Sequence, residues 1–156
     1  MSKISIERVD LSDREQTEAL LELLDAYARD PMGLNEPLGE EVRERLIPEL
    51  KKVPGTLCLL ARVDGKPAGI ANCFYGFSTF YAKKLINIHD LAVSPDFRGK
   101  GVGGALLKAV EERAAETGCC RVTLEVREDN RARNLYERFG YEYGEPTMFF
   151  MTKELE

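Results

Sequence analysis

Residues 98–104, Arg-Gly-Lys-Gly-Val-Gly-Gly, are of the types and at the spacing to bind an anion. They follow an apolar strand pattern over residues 85–93 and a break at Ser94-Pro95-Asp96, and from Gly101 onward they read as the opening of a helix. The first turn of a helix has backbone N–H groups with no partner inside the helix, and the macrodipole adds positive potential there. Phosphate groups bind at such places. Gly99, Gly101, Gly103 and Gly104 let the backbone of this loop, with Lys100 and Val102 between them, approach a phosphate without side-chain obstruction. Arg98, just before the turn, can add a charged fork to the same anion.

The other reactive residue types offer less. Cys58, Cys73, Cys119 and Cys120 fit no zinc spacing, and adjacent cysteines are poor ligands for one site. Three of the four lie in apolar strand-like runs, so they read as reduced core thiols, and no metal is implied. His89 is the only histidine and lies within the strand before the glycine loop.

The chain that must position these residues has 156 of them, which suits one domain spanning 1–156 around one core. An apolar fraction of 44% and a charged fraction of 31% are those of an ordinary globule. No apolar run approaches the roughly 18 residues that cross a bilayer. The first residues lack the apolar block of a signal peptide, so the default location is cytoplasmic. Twenty-two basic against twenty-seven acidic residues give a net charge of −5, which argues against nucleic acid as a partner; it suits a cationic substrate, but a solvated acidic surface is its commoner meaning.

In chain order, residues 4–9 alternate as a strand, and Asp10 or Ser12 can cap a helix whose apolar face is Leu20, Leu21, Leu23, Leu24 and Tyr27. Residues 30–37 form a loop, and a second helix covers 40–51 with Pro48 as its break or kink. Strands over 56–63 and 68–79 make a hairpin about Asp64-Gly65. Lys83-Lys84 marks the next turn, followed by the strand 85–93. After the glycine loop, Leu106, Leu107, Val110 and Ala114 give a helix its buried stripe, ending near Gly118. A strand over 119–126 follows, and then a short helix through Arg138, capped by Asp129 or Asn130. Residues 141–143 and 148–152 read as two closing strands. The order predicts an α/β fold, a mixed sheet with helices on its faces.

Residues 99–104 also match the Gly-x-Gly-x-x-Gly dinucleotide fingerprint, and Glu125 follows about twenty positions later. That reading fails on context. Five residues separate strand from glycine, a hairpin precedes the motif, and too little chain remains for further parallel strands.

The pattern Arg98-x-x-Gly101-x-Gly103 after Leu91-Ala92-Val93 resembles the acetyl-CoA loop of the GNAT superfamily of N-acetyltransferases. The strand 121–126, then Asn130, Tyr136 and Phe139-Gly140-Tyr141, resemble that family's downstream block. The likeness covers residues 88–141, about a third of the chain. It implies a mixed, mostly antiparallel sheet whose central strands, here 85–93 and 121–126, splay apart to admit the coenzyme. Carried over, the amides of residues 98–103 would bind the diphosphate. The backbone of the strand 91–93, Leu91 and Val93 above all, would bind the peptide-like pantetheine arm. Family members place Tyr seven residues after Asn, whereas Asn130 to Tyr136 is six. Either Asp129 takes the Asn position or the loop is shortened, and Asn130 reads either as a cofactor contact or as a helix cap.

The resemblance implies a reaction: acetyl transfer from acetyl-CoA to a primary amine, by direct attack in a ternary complex. Tyr136 matches the family's general acid, a phenol that protonates the departing thiolate. His89 falls where serotonin N-acetyltransferases carry the second His of a His-x-His pair, and a histidine can take the amine's proton directly or through water. Asp90 is the rival base, on the opposite side of a strictly alternating strand from residues 87, 89 and 91. Residues 74–81 resemble the corresponding region of diamine and thialysine acetyltransferases, and Asp30, Glu36 and the tyrosines could receive an ammonium. The closing strands, ending near Lys153, offer an edge at which two copies could pair. A CoA-binding sensor without catalysis and a nucleotide-dependent oxidoreductase are the alternatives from other classes.

Overall fold

In the computed structural model, which describes residues 2–155, the strands β1 (Ile4–Arg8), β2 (Thr56–Val63), β3 (Lys66–Ser78), β4 (Lys83–Val93) and β5 (Val122–Leu124) form one sheet. They lie side by side in that order. The first three pairings are antiparallel and only β4–β5 is parallel. Asp64 and Gly65, with φ of 50° and 84°, make the β2–β3 turn. Positive φ at both positions gives a two-residue turn the twist that antiparallel strands require. A sheet of this kind has no doubly wound half, so the dinucleotide alternative has no fold to carry it.

Helices cover both faces. On one, α1 (Arg14–Arg29) and α2 (Glu40–Leu50) pack Leu20, Leu23 and Leu50 against Cys58, Leu60, Ile70 and Ala92. On the other, α3 (Val102–Glu116) packs Leu106, Leu107 and Val110 against Leu59, Ala71, Cys73, Ile86 and Ile88. The short α4 (Ala132–Arg138) adds Tyr136 to this second cluster. Burial on both faces explains why β2 reads as a nearly continuous apolar run. Each fully buried leucine here contributes about 1.5–3 kcal/mol. No helix among the described residues is long and apolar enough to cross a membrane.

Four local expectations are corrected. Asp13, not Asp10 or Ser12, caps α1, accepting from the Gln16 amide at 3.0 Å, while Asp10 holds the Ser12 amide in the preceding turn. Pro48 lies inside α2 without ending it, because in the last turn its missing N–H removes a single helical hydrogen bond. β5 is only three residues long, because beyond Leu124 it has left β4. Residues 141–143 and 148–152 form no strand; Gly140, at φ 88°, turns the chain after α4, and the Tyr141 amide goes back to the Tyr136 carbonyl.

Candidate active site

The β3–β4 pairing runs from Ser78↔Lys83 to Cys73↔Ile88 and resumes at Asn72↔Asp90, leaving His89 unpartnered. His89 is therefore the extra residue of a β-bulge, which shifts the alternation of the strand by one. Ile86 and Ile88 face α3; past the bulge Leu91 and Val93 join that cluster, while Ala92 packs on the α1 side. A strictly alternating strand would put Leu91 with residues 87 and 89, and the bulge is why it does not. Peptide groups alternate along a strand together with side chains. Ile86 donates its N–H to the Arg121 carbonyl on the β5 side at 3.2 Å. Leu91 and Val93, sharing its face, turn their N–H and C=O groups the same way. Ser94, next in line, donates instead to Ala68 at 2.7 Å, on the β3 side.

On the β5 side no strand among the described residues meets them. The β4–β5 ladder consists of Ile86↔Val122, Asn87↔Thr123 and Ile88↔Leu124, and stops, although β4 continues to Val93. Asn87 laces the last rungs, donating to Thr123 Oγ1 at 3.0 Å and to Glu125 Oε1 at 3.3 Å. Beyond them lies a cavity of about 630 Å³ whose walls include Leu91, Ala92, Val93, Arg98, Gly99, Gly103 and Asn130. At the fork itself a space of about 70 Å³ is lined by Ile88, His89, Leu124, Glu125, Tyr27 and Tyr136. His89 and Tyr136, far apart in sequence, thus share one small cavity.

The glycine loop has two separate reasons for its composition. Gly101, at φ 85°, is the N-cap of α3, a conformation that L-residues adopt at a cost. Gly103 and Gly104 are small because α4 packs on them: a Cβ at each would stand 2.9 Å from Leu135 and 2.8 Å from Phe139. Among the described residues nothing accepts a hydrogen bond from the amides of 99–104, and α3 has no side-chain cap. A diphosphate fits that unclaimed set of donors. The Arg98 amide is not one of them, since it closes a short turn on the Pro95 carbonyl at 3.5 Å. Val102 is buried in the core, and neither it nor Lys100, Gly101 or Gly104 lines the large cavity.

Residues 17–141 match the profile of the Acetyltransferase (GNAT) family. The chain belongs to the GNAT acetyltransferase family. It is 38% identical over 88 residues to the uncharacterized N-acetyltransferase YhfO of Bacillus subtilis, covering 56% of this chain and 59% of that protein. It is 36% identical over 85 residues to the uncharacterized N-acetyltransferase MJ1207 of Methanocaldococcus jannaschii, covering 53% of this chain and 38% of that one. The chain thus spans only part of the length of these curated relatives. In fold, it superposes on a transcriptional regulator from Bacillus halodurans with a TM-score of 0.80 at 18% identity, over 98% of this chain and 100% of the other.

In this GNAT chain Tyr136 is 9% exposed, and burial pushes its phenol up to about 12. Its hydroxyl makes no hydrogen bond among the described residues. His89 is exposed and stands edge-on to Phe74, centroids 5.8 Å apart. Asp90 accepts from the buried Asn72 amide at 3.1 Å. Asn130 Oδ1 accepts from the Ala132 amide at 2.9 Å in the turn that leads into α4, but the N-cap of α4 is Arg131, without a side-chain cap, so neither Asp129 nor Asn130 caps this helix; Asn130 also borders both cavities. Asp129 is held by Arg127 at 2.8 Å.

The aromatic residues before β4 stand elsewhere. Tyr75 and Tyr81 already carry Lys84 and Arg121 over their rings, and Phe80 is 97% exposed at the hairpin end. Of this group only Phe74 reaches the site. Two arginines tie the loop after α1 to the GNAT site: Arg98 to Asp30, and Arg127 to the Pro31 carbonyl at 3.2 Å. Arg127 and Tyr27 carry no sequence signal as site residues, since only the fold brings them to the fork.

Proposed function

We propose that this GNAT chain moves an acetyl group from acetyl-CoA to a primary amine, by direct attack with both substrates held where β4 and β5 part. The parting itself carries the reading. The outward peptide groups of Leu91 and Val93 border one groove with Gly99 and Gly103 of the glycine loop. A peptide-like pantetheine arm would pair with the first and a diphosphate with the second. A β4 amide in the gap would polarise the thioester carbonyl, and holding amine and thioester together would supply much of the rate.

Tyr136 is the proposed acid. With its phenol pushed up to about 12 it keeps its proton at neutral pH, and it borders the fork where the departing sulfur would need one. His89 is the proposed base or water relay for the ammonium proton, exposed on the same small cavity. Asn130, which borders both cavities, would border the coenzyme. YhfO and MJ1207 are each named as an uncharacterized N-acetyltransferase, which supports nitrogen as the acceptor atom. A small amine of the diamine or thialysine type is the proposed acceptor class; Glu125, beside His89, supplies a counter-charge.

Thiol release from acetyl-CoA in the presence of a panel of primary amines tests the reading. At least one amine should raise release well above the hydrolytic background. Binding of CoA with no amine-dependent release would make the chain a sensor instead.

A further inference from the structure

The β3–β4 hairpin outruns the rest of the sheet. β2 follows β3 as far as Phe74, and the Tyr75 amide then donates to the Gly55 carbonyl at 2.9 Å. On the other side the chain before β5 follows β4 as far as Lys84, whose carbonyl accepts from the Cys120 amide at 2.9 Å. Past those points, among the described residues, 76–83 stand as a two-stranded ribbon closed at Ser78↔Lys83. Its end exposes three large rings: Phe77 60%, Phe80 97% and Tyr81 60%. One exposed apolar side chain is ordinary, but three gathered on one projection mark a contact surface.

The charge at this end departs from that of the whole chain. The net charge is −5 and twenty-seven residues are acidic, yet none of them lies in 65–89. Lys83 and Lys84 follow the rings directly in sequence. Arg121 adds a third cation, its guanidinium 4.7 Å from the centroid of the Tyr81 ring. All three are exposed, and among the described residues none is paired with a carboxylate. An acidic molecule with one cationic end meets an anionic surface by that end.

We propose that the end of the β3–β4 hairpin docks the protein on an anionic lipid surface. The interface of a bilayer takes aromatic rings at the depth of the headgroups and draws lysine side chains toward the phosphates. Phe80 leads the projection, with Lys83 and Lys84 three and four residues behind it, so rings and cations come in the order of such an interface. The projection is convex, which suits a deformable layer; a rigid partner would need a matching groove. The contact is with a surface and is not a crossing, because the peptide groups of an open ribbon have no partners in hydrocarbon. His89 lies six residues past Lys83, about 20 Å along β4, so docking by the tip leaves the fork uncovered. The proposal does not depend on the acetyltransferase reading.

Vesicle binding by the full chain tests it. The parent protein should sediment with vesicles of equal parts phosphatidylcholine and phosphatidylserine, less so as salt is raised, and not with phosphatidylcholine alone. Phe80→Ser, and separately Lys83→Glu with Lys84→Glu, should each lower the partition constant at least about tenfold, with an unchanged circular dichroism spectrum. The chain has no tryptophan, so Phe80→Trp places a single reporter at the tip. Its emission should move to the blue on the mixed vesicles and be quenched by lipids brominated on the acyl chains. A parent protein that stays off the mixed vesicles at low salt would overturn the proposal, whether its tip were free, held single-stranded RNA or met a second copy. So would equal binding to phosphatidylcholine alone, or binding that neither substitution weakens.

Discussion

Arg98 Nη2 stands 3.2 Å from Asp30 Oδ2 and joins the glycine loop to the loop after α1. The Met32 amide, and after it Arg98, holds the Asp30 carboxyl below its usual range. On the proposed reading, a diphosphate arriving at the loop would compete with that carboxylate for the same guanidinium. Asp30→Asn should therefore tighten CoA binding about two- to fivefold, the scale of a half-exposed ion pair. The gain should shrink at high salt. Calorimetric titration at low and high salt checks this; unchanged or weaker binding would show that Arg98 does not serve the phosphate.

Gly101→Ala places a Cβ at φ 85°, where an L-residue costs about 1–2 kcal/mol. Urea denaturation should show a loss of that size. The amides that follow would turn from their present direction, so CoA affinity should fall by about tenfold, or 1.4 kcal/mol. Equal loss of stability with intact affinity would separate the glycine's structural part from the proposed binding.

For Tyr136→Phe, the removed hydroxyl makes no hydrogen bond within the described residues, so stability should change by less than about 1 kcal/mol. CoA affinity should stay within about twofold, because the phenol is assigned to the departing sulfur and not to binding. The value of kcat should drop by about 10²-fold or more, as for loss of a general acid. Steady-state kinetics with an active amine is the check, and an unchanged kcat would remove Tyr136 from the mechanism.

Burial pushes the Cys58 thiol up to about 11 and the Cys73 thiol up to about 12. At Cys73, the neighbouring Cys58 and Asp90 add to the effect of burial. Tyr136 is raised in the same way. Each group is an acid whose value in the folded chain lies above its unfolded one. Its neutral form is therefore favoured by folding: stability is fully present below the unfolded value and is lost as pH rises through the folded one. Stability should be flat to about pH 9 and then fall toward pH 12, by about 3 kcal/mol each for Cys58 and Tyr136 and about 4 kcal/mol for Cys73. Urea midpoints across that range check it. Cys73→Ala should lower stability at neutral pH but flatten the alkaline decline; an identical decline would assign it to other groups.

Much of this was legible in the residues because the signals were local. The Asp64-Gly65 hairpin turn, the apolar stripe of α3 and the glycine loop each follow from a few adjacent positions. The bulge at His89 left no such trace: an extra residue in a strand shows only through its pairing partner, and it decides which peptide groups of β4 face the gap. Gly103 and Gly104 were legible as glycines but not as packing sites, since Leu135 and Phe139 come from an element about thirty residues on. The closing strands had the composition of strands, yet composition cannot say whether a partner edge lies within reach. An ammonium role for Tyr75 and Tyr81 fails similarly, because Lys84 and Arg121 occupy their faces.

Amide hydrogen exchange with and without CoA tests most directly whether the coenzyme lies in the opening between β4 and β5. Saturating CoA should slow exchange at residues 91–93 and 99–104, with little change along β1 and β2. Tight binding that left those two segments unchanged, or protected a different face of the sheet, would contradict the account.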